Sequence, residues 1–450
     1  MSTTPVAIDD LPLSKFHVRM TVYTTGGFFI DGYILGIISI ALAVWGPQVG
    51  LSSLWEGLIG ASALIGIFLG SLIFGPIIDR VGRQMMYVTD LMLFIIASVI
   101  QLFVVEPWQL FVLRLVMGIA IGIDYAIGPS LLSEMLPRRY RGTLLACLNA
   151  TYTLGFVVAF VVGFALRSAL GSGSWRWMLV SSVVPAVVIL LLRLGSPESP
   201  RWLAAHGQHA KAQEVLRKHF GDNVILGEEP AGRQRTRIAE LFNRRWRRRT
   251  IFASVFWLCQ VMPYFALFTL LPTVLKSLGL SNEFTGGLAL NGFQLAGGIV
   301  GVVVMNMLSR RTFVIWSFVI LAISLGLLGF IPHPTSILVI IAFAVFAFVV
   351  SAAGNLESVY PAEMFPTEMR ATGVGFAAAM SRVGAAIGTF LLPLGLSSLG
   401  TQPTMLIGSA VLVVGLIVSI ALAPDTRDLT LTEASTIGPR IHRSARTRSK

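Results

Sequence analysis

The sequence predicts an all-α integral membrane protein, with twelve transmembrane helices in two six-helix bundles and both termini cytoplasmic. Three observations carry that expectation. Hydrophobic residues make up 55% of the 450 and charged residues only 12%, about half the charged share of ordinary globular domains. Apolar runs of spanning length recur along the whole chain, whose mean hydropathy is +0.78. Lys and Arg gather on one side of those runs. A bilayer helix needs about 20 mostly apolar residues, so twelve need roughly 240, close to the apolar content of the chain. This composition excludes a soluble enzyme, a secreted disulfide scaffold and a disordered tail protein.

The runs fall at 20–45, 54–78, 85–105, 108–133, 143–166, 175–194, 250–275, 284–308, 312–331, 335–359, 372–396 and 403–423. An even number returns both termini to one side. A polar segment with Asp9 and Asp10 precedes the first run, and no small-residue site follows a short apolar core, so no cleaved signal peptide is expected. One set of alternate loops holds Lys15, Arg19, Arg80, Arg83, Arg138, Arg139, Arg141, a dense group from Arg193 to Arg249, Arg310, Arg311, Arg370 and the basic tail. The opposite set holds only Arg167, Arg176 and Lys276. That bias places the basic loops in the cytoplasm. It gives the net charge of +12 a topological meaning and leaves no reason to expect a nucleic-acid partner. Cys147 and Cys259 sit in apolar runs and all six histidines fall outside them. No disulfide framework, metal site, cofactor or intramembrane histidine relay is therefore expected.

The organisation reads as a cytoplasmic segment 1–19, a bundle 20–194, a linker 195–249, a second bundle 250–424 and a cytoplasmic tail 425–450. The two bundles repeat one plan. Ser133-Glu-Met-Leu-Pro-Arg-Arg-Tyr-Arg-Gly-Thr143 aligns with Ala362-Glu-Met-Phe-Pro-Thr-Glu-Met-Arg-Ala-Thr372 at one constant offset. Glu134/Glu363, Met135/Met364, Pro137/Pro366, Arg141/Arg370 and Thr143/Thr372 are identical. A same-orientation repeat of six helices is an architecture of secondary transporters, with the substrate site expected between the halves near the midplane. A monomer is the expected working unit. In the linker, Leu203, Ala204, Val215 and Leu216 are spaced as short amphipathic helices would place them. The basic run Arg244–Arg249 is expected to lie against anionic headgroups or simply to anchor the seventh span.

Gly75-Pro-Ile-Ile-Asp79-Arg80-Val-Gly82-Arg83 follows the second run, and three further motifs are spread over both halves and the central loop. These are Arg114-x-x-x-Gly118 through Pro137-Arg-Arg-Tyr-Arg141-Gly142, then Pro197-Glu198-Ser-Pro200-Arg201-Trp202, then Tyr360-Pro-Ala-Glu363-Met-Phe-Pro366-x-x-x-Arg370. As a set they resemble the major facilitator superfamily, in its sugar-porter and metabolite:proton-symporter branch. The second-half counterpart of the first motif, Leu308-Ser-Arg-Arg311, lacks the acidic residue. The resemblance implies a cytoplasmic gate that latches the outward-facing state, built from Asp79, Arg83, Glu134, Arg141, Glu198, Arg201, Glu363 and Arg370. Helix capping and loop anchoring are the alternative roles for these charges.

Ionisable groups inside a bilayer are costly and default to a functional reading. Asp31 lies midway along the first run, Arg114 in the outer half of the fourth, and Asp124 near its middle. Ten helical residues separate Arg114 from Asp124 by roughly 15 Å, too far for one Arg to contact both acids easily. The resemblance pairs the first-span Asp31 with Arg114 and implies proton coupling through them, a structural ion pair being the alternative; Asp124 is a further proton-coupling candidate, as a second proton or substrate site, or a structural residue. Asp124-Tyr125 resembles the fourth helix of phosphate and organic-anion symporters. Arg382, mid-span in the eleventh run, would attract an anion or pair with Glu357. Tyr33, Tyr125, Asn149, Tyr152, Gln260, Tyr264, Asn291, Gln294 and Asn355 are the further candidates to bind substrate. Sugar porters carry a Gln-Gln pair on the seventh helix and a Trp before the tenth-helix Tyr-Pro-x-Glu. Here Gln260 stands alone and Ser358 holds the Trp position. The expected function is therefore proton symport of a small organic anion across the plasma membrane, with a sugar or polyol symporter and a non-transporting nutrient sensor as alternatives. No enzyme chemistry is expected.

Overall fold

A computed structural model describes residues 6–226, 238–280, 283–332, 334–365 and 367–425. In chain order the helices are α1 (Lys15–Val49), α2 (Ser53–Val81), α3 (Arg83–Ile100), α4 (Pro107–Met135), α5 (Arg138–Leu170), α6 (Ser174–Val180) and α7 (Val183–Arg193). Then come α8 (Pro200–Ala205), α9 (His209–Phe220), α10 (Arg247–Thr269), α11 (Leu271–Ser277) and α12 (Glu283–Met307). The last four are α13 (Arg310–Phe330), α14 (Ser336–Met364), α15 (Thr367–Ser398) and α16 (Thr401–Leu422). Eleven stretches among the described residues are long and apolar enough to cross a bilayer. One of them, 147–193, turns back at Gly171, whose φ is +61°, and so holds two crossings. That gives the twelve expected passes.

The sixth pass is interrupted between α6 and α7 at Ser181 and Ser182. Their hydroxyls accept or donate sideways as well as back along the chain. Ser181 Oγ meets the Tyr33 hydroxyl at 2.6 Å, and Ser182 Oγ meets Ser98 Oγ at 2.8 Å. The break is thus tied to α1 and α3. Hydroxyl caps open helices in both halves: Ser52 accepts from Trp55 N, Ser309 from Thr312 N and Thr335 from Leu338 N, each satisfying a first-turn amide.

Hydrocarbon tails give no hydrophobic drive between helices, so close packing must hold them together. Glycine seams supply it. A Cβ on Gly155 of α5 would lie 1.9 Å from the Phe29 carbonyl of α1, and one on Gly118 of α4 would lie 2.1 Å from Ala63 O of α2. The second half repeats the device: Gly388 of α15 lies against Met262 O of α10, and Gly297 of α12 against Phe348 O of α14. Pairs one–five and two–four of each half are therefore welded by the same means.

The chain divides into two compact units. The first comprises Met1–Ala231 with Phe268–Thr273 and Glu283–Leu288, and the second the remainder. The first unit therefore takes in α8 and α9, in which Leu203, Ala212 and Leu216 are buried. Phe16 of α1 holds the far end of α9, with ring centroids 4.7 Å from His219 and 4.9 Å from Phe220. A two-stranded parallel sheet, β1 (Val6–Ala7) with β2 (Val224–Ile225), closes this corner. No periodicity in the sequence announces it. The helix α1 begins earlier than its apolar run and so includes His17. His17 is buried in the first turn, where Nδ1 accepts from Ser14 N at 3.0 Å.

Candidate functional site

Four spans of the first unit bring three acids and one base together. Asp31 comes from α1, Asp90 from α3, Asp124 from α4, and Arg193 from the last position of α7; all four side chains are sealed from solvent. Arg193 Nη2 donates to Asp124 at 3.3 Å and Nη1 to Asp90 at 3.5 Å. Nε donates to Tyr23 O at 3.3 Å and Nη1 also to Tyr87 O at 3.1 Å, and the guanidinium lies 3.4 Å over the Tyr87 ring. Asp90 is held further by Leu91 N at 2.6 Å. Gly27 makes the space: a Cβ there would stand 2.1 Å from Arg193 Nη2 and 2.2 Å from Asp124 Oδ2.

This arrangement corrects the expected pairing. Arg114 does not bridge to Asp31; its Nη1 donates to Ile34 O at 2.8 Å, while Nε and Nη2 have no acceptor among the described residues. Both Asp31 carboxylate oxygens likewise lack a donor. The base that answers Asp124 is Arg193, which the sequence places at the mouth of the basic linker. An Arg ending an apolar run reads as a positive-inside flank, and nothing local shows that its stem turns back into the bundle. Asp90 was missed although a signal existed, an acid within the third apolar run.

Of the other candidates in this unit, Tyr33 bonds to Ser181, Tyr125 stacks on Phe28 at 5.1 Å, Tyr152 is buried and Asn149 is exposed. In the second unit Gln260 Nε2 donates to Glu357 at 3.1 Å and Gln294 Nε2 to the Tyr264 hydroxyl at 2.7 Å. Asn291 is fully buried, and Arg382 lies 5.6 Å from the Phe265 ring centroid. Asn355 is different: its Nδ2 donates to Gly298 O and Ala352 O, both at 3.1 Å, which makes it glue for the α12–α14 seam.

The gate residues form a network inside each unit. Arg83 pairs with Glu134, which also accepts from Ser199 Oγ at 2.5 Å. Glu198 caps α3, accepting from Gln84 N at 3.0 Å and from Ser199 N at 2.9 Å. A carboxylate suits a helix N-terminus, and Gly82, with φ +108°, leaves room for it: a Cβ would meet Glu198 Oε2 at 2.7 Å. Arg201 pairs with Asp9 at 2.7 Å, which ties the linker to the N-terminal segment. In the second unit Arg310 bonds Glu363 at 3.3 Å. The second-half loop without its acid therefore still supplies the Arg that its repeat glutamate needs. The side chains of Asp79, Arg141 and Arg370 lie outside the described residues.

Twelve apolar passes in two halves of one plan, with ionisable and amide side chains turned inward, define a multi-pass membrane transporter. The comparisons agree. The family described as Sugar (and other) transporter matches residues 13–437. The chain is 42% identical over 438 residues to the inner membrane metabolite transport protein YgcS of Escherichia coli (strain K12), covering 97% of this chain and 98% of that one. It is 38% identical over 430 residues to the putative metabolite transport protein YaaU of the same organism, with 95% and 96% covered. The xylose transporter XylE from E. coli, in a partially occluded inward-open conformation, superposes with a TM-score of 0.78 at 20% identity, over 93% of this chain and 100% of that one. The chain belongs to the sugar (and other) transporter family of the major facilitator superfamily. It is a multi-pass plasma-membrane transporter and not an enzyme.

Proposed function

We propose that this transporter is a proton-coupled symporter of a small organic anion, working as a monomer by alternating access. Proton coupling is assigned to Asp31 together with Asp124. The observation that carries it is Asp31 itself, a carboxylate buried in the first span with no hydrogen-bond donor on either oxygen among the described residues. An acid so placed is costly while charged, and a proton removes the cost. Proton binding and release there can bias a conformational equilibrium, provided the two states hold the proton with different affinity.

The solute is assigned to the polar set of the second unit: Gln260, Tyr264, Asn291, Gln294 and Arg382. The guanidinium offers a planar fork suited to a carboxylate. The amides and the tyrosine hydroxyl would serve a polyhydroxyl solute equally well, and XylE, which shares the fold, is a xylose transporter. A sugar or polyol is accordingly the second reading.

Purified protein in proteoliposomes under an imposed pH gradient tests the first. Wild type is expected to accumulate a carboxylate above equilibrium. Asp31→Asn is expected to abolish accumulation while keeping counterflow exchange. Equal loss of both activities would make Asp31 structural, and ligand binding without accumulation would return the sensor.

A further inference from the structure

The cluster around Arg193 holds more acid than base, and the excess has a definite geometry. Asp31, Asp90 and Asp124 face one guanidinium, and none of the four is exposed. Arginine keeps its charge in proteins, so the fully ionised cluster would carry two uncompensated negative charges away from water. Isolated buried charge is among the most costly arrangements in a protein. Protons are the remaining means of balance.

The hydrogen bonds show where a proton would sit. Arg193 commits its fork to Asp124 and Asp90 and to the carbonyls of Tyr23 and Tyr87, and bonds nothing on Asp31. Asp31 nevertheless stands one helical turn beyond Gly27, whose Cβ position meets both Arg193 Nη2 and Asp124 Oδ2, and Arg193 draws Asp90 and Asp124 onto one guanidinium. Carboxylates have only acceptors between them, so a bond joining any two of them exists only with a proton on one partner. The facing groups are the Tyr23 carbonyl on α1, Tyr87 and Asp90 on α3, Asp124 on α4 and Arg193 on α7; Arg114 is engaged with Ile34 O.

We propose that Asp90 and Arg193 belong to the proton site: the three carboxylates hold the coupling proton jointly, with Arg193 as their fixed counter-charge. A proton arriving from water forms one O–H bond on a carboxylate. That hydroxyl donates to a neighbouring carboxylate, the guanidinium keeps its own protons, and the cluster charge rises by one. Asp124 sits at the centre, sharing Arg193 with Asp90 and meeting the Gly27 position one turn from Asp31. Charge added at one corner is therefore felt by α1, α3, α4 and α7 together.

The inference rests on the proton-coupled reading, and the experiment separates the two. Accumulation and counterflow are measured against pH in proteoliposomes for wild type, Asp31→Asn, Asp90→Asn and Arg193→Lys. Asp90→Asn removes a negative neighbour, so the pH midpoint of accumulation is expected to fall by about one unit, a tenfold loss of proton affinity. Arg193→Lys replaces a fork by a point charge that cannot serve Asp90 and Asp124 together, and its midpoint is expected to rise. A merely structural role would lower all activity without moving either midpoint. Unmoved midpoints in both variants overturn the inference while leaving Asp31 its role, whereas accumulation surviving in Asp31→Asn overturns the earlier reading. Should Asp90→Asn fail to fold, Asp90→Glu keeps the charge but shifts it by a methylene. Its protonated-carboxyl infrared band must then titrate differently from wild type, and an identical titration overturns the inference.

Discussion

At the scale of single residues, the acid cluster depends on an atom that is missing. Gly27 lets Arg193 and Asp124 meet against the α1 backbone, and any side chain there would occupy their contact. Gly27→Ala is expected to lower the melting temperature in detergent, at a cost of about 1–3 kcal/mol typical of overpacking. Gly46→Ala in the same helix is the control, since its new methyl would meet nothing closer than 3.8 Å. Equal melting temperatures for the two would show that the cluster tolerates displacement. The sequence displayed Asp31, Asp124 and Arg382 as intramembrane charges because each interrupts an apolar run. It could not display their partners. Arg193 lies 103 residues from Asp90 and 69 from Asp124, and a family resemblance pointed to Arg114 instead.

At the scale of elements, the helices were legible and their seams were not. Twelve passes follow from hydropathy alone, and the amphipathic spacing of the linker foretold α8 and α9. The β1–β2 pairing and the break of the sixth pass arise from contacts across the fold. One element carries a pH dependence. Burial, and then the neighbouring charges of Lys218 and Arg19, hold the His219 imidazole below its ordinary range, so the docked ring favours the neutral form. Docking of α9 on Phe16 is thus complete above the ordinary histidine value of about 6.5 and weakens as pH falls through it. Amide hydrogen exchange over 209–220, corrected for intrinsic rates, is expected to quicken at acid pH. His219→Gln is expected to abolish that response; an unchanged response would assign it to another group.

For the whole molecule, the two units share one construction, and the repeat reaches beyond sequence identity. Glu134 and Glu363 are aligned residues, and each takes the Arg that opens the third pass of its own half. The solute question also belongs at this scale. A ligand at a hundredfold its Kd adds about 2.7 kcal/mol of apparent stability, so a thermal-shift screen of carboxylates, phosphates and sugars on purified protein reads the class directly. Arg382→Gln is expected to weaken an anionic solute at least tenfold, about 1.4 kcal/mol. Unchanged binding of the true substrate would favour the neutral sugar or polyol.

The number of passes and the internal repeat were legible in the chain before it folded, because hydropathy acts on each segment where it stands. Which acid meets which base was decided only in three dimensions. That choice depends on how far each helix rotates and how closely its neighbour approaches, and those distances are set by glycines facing backbone across the bundle.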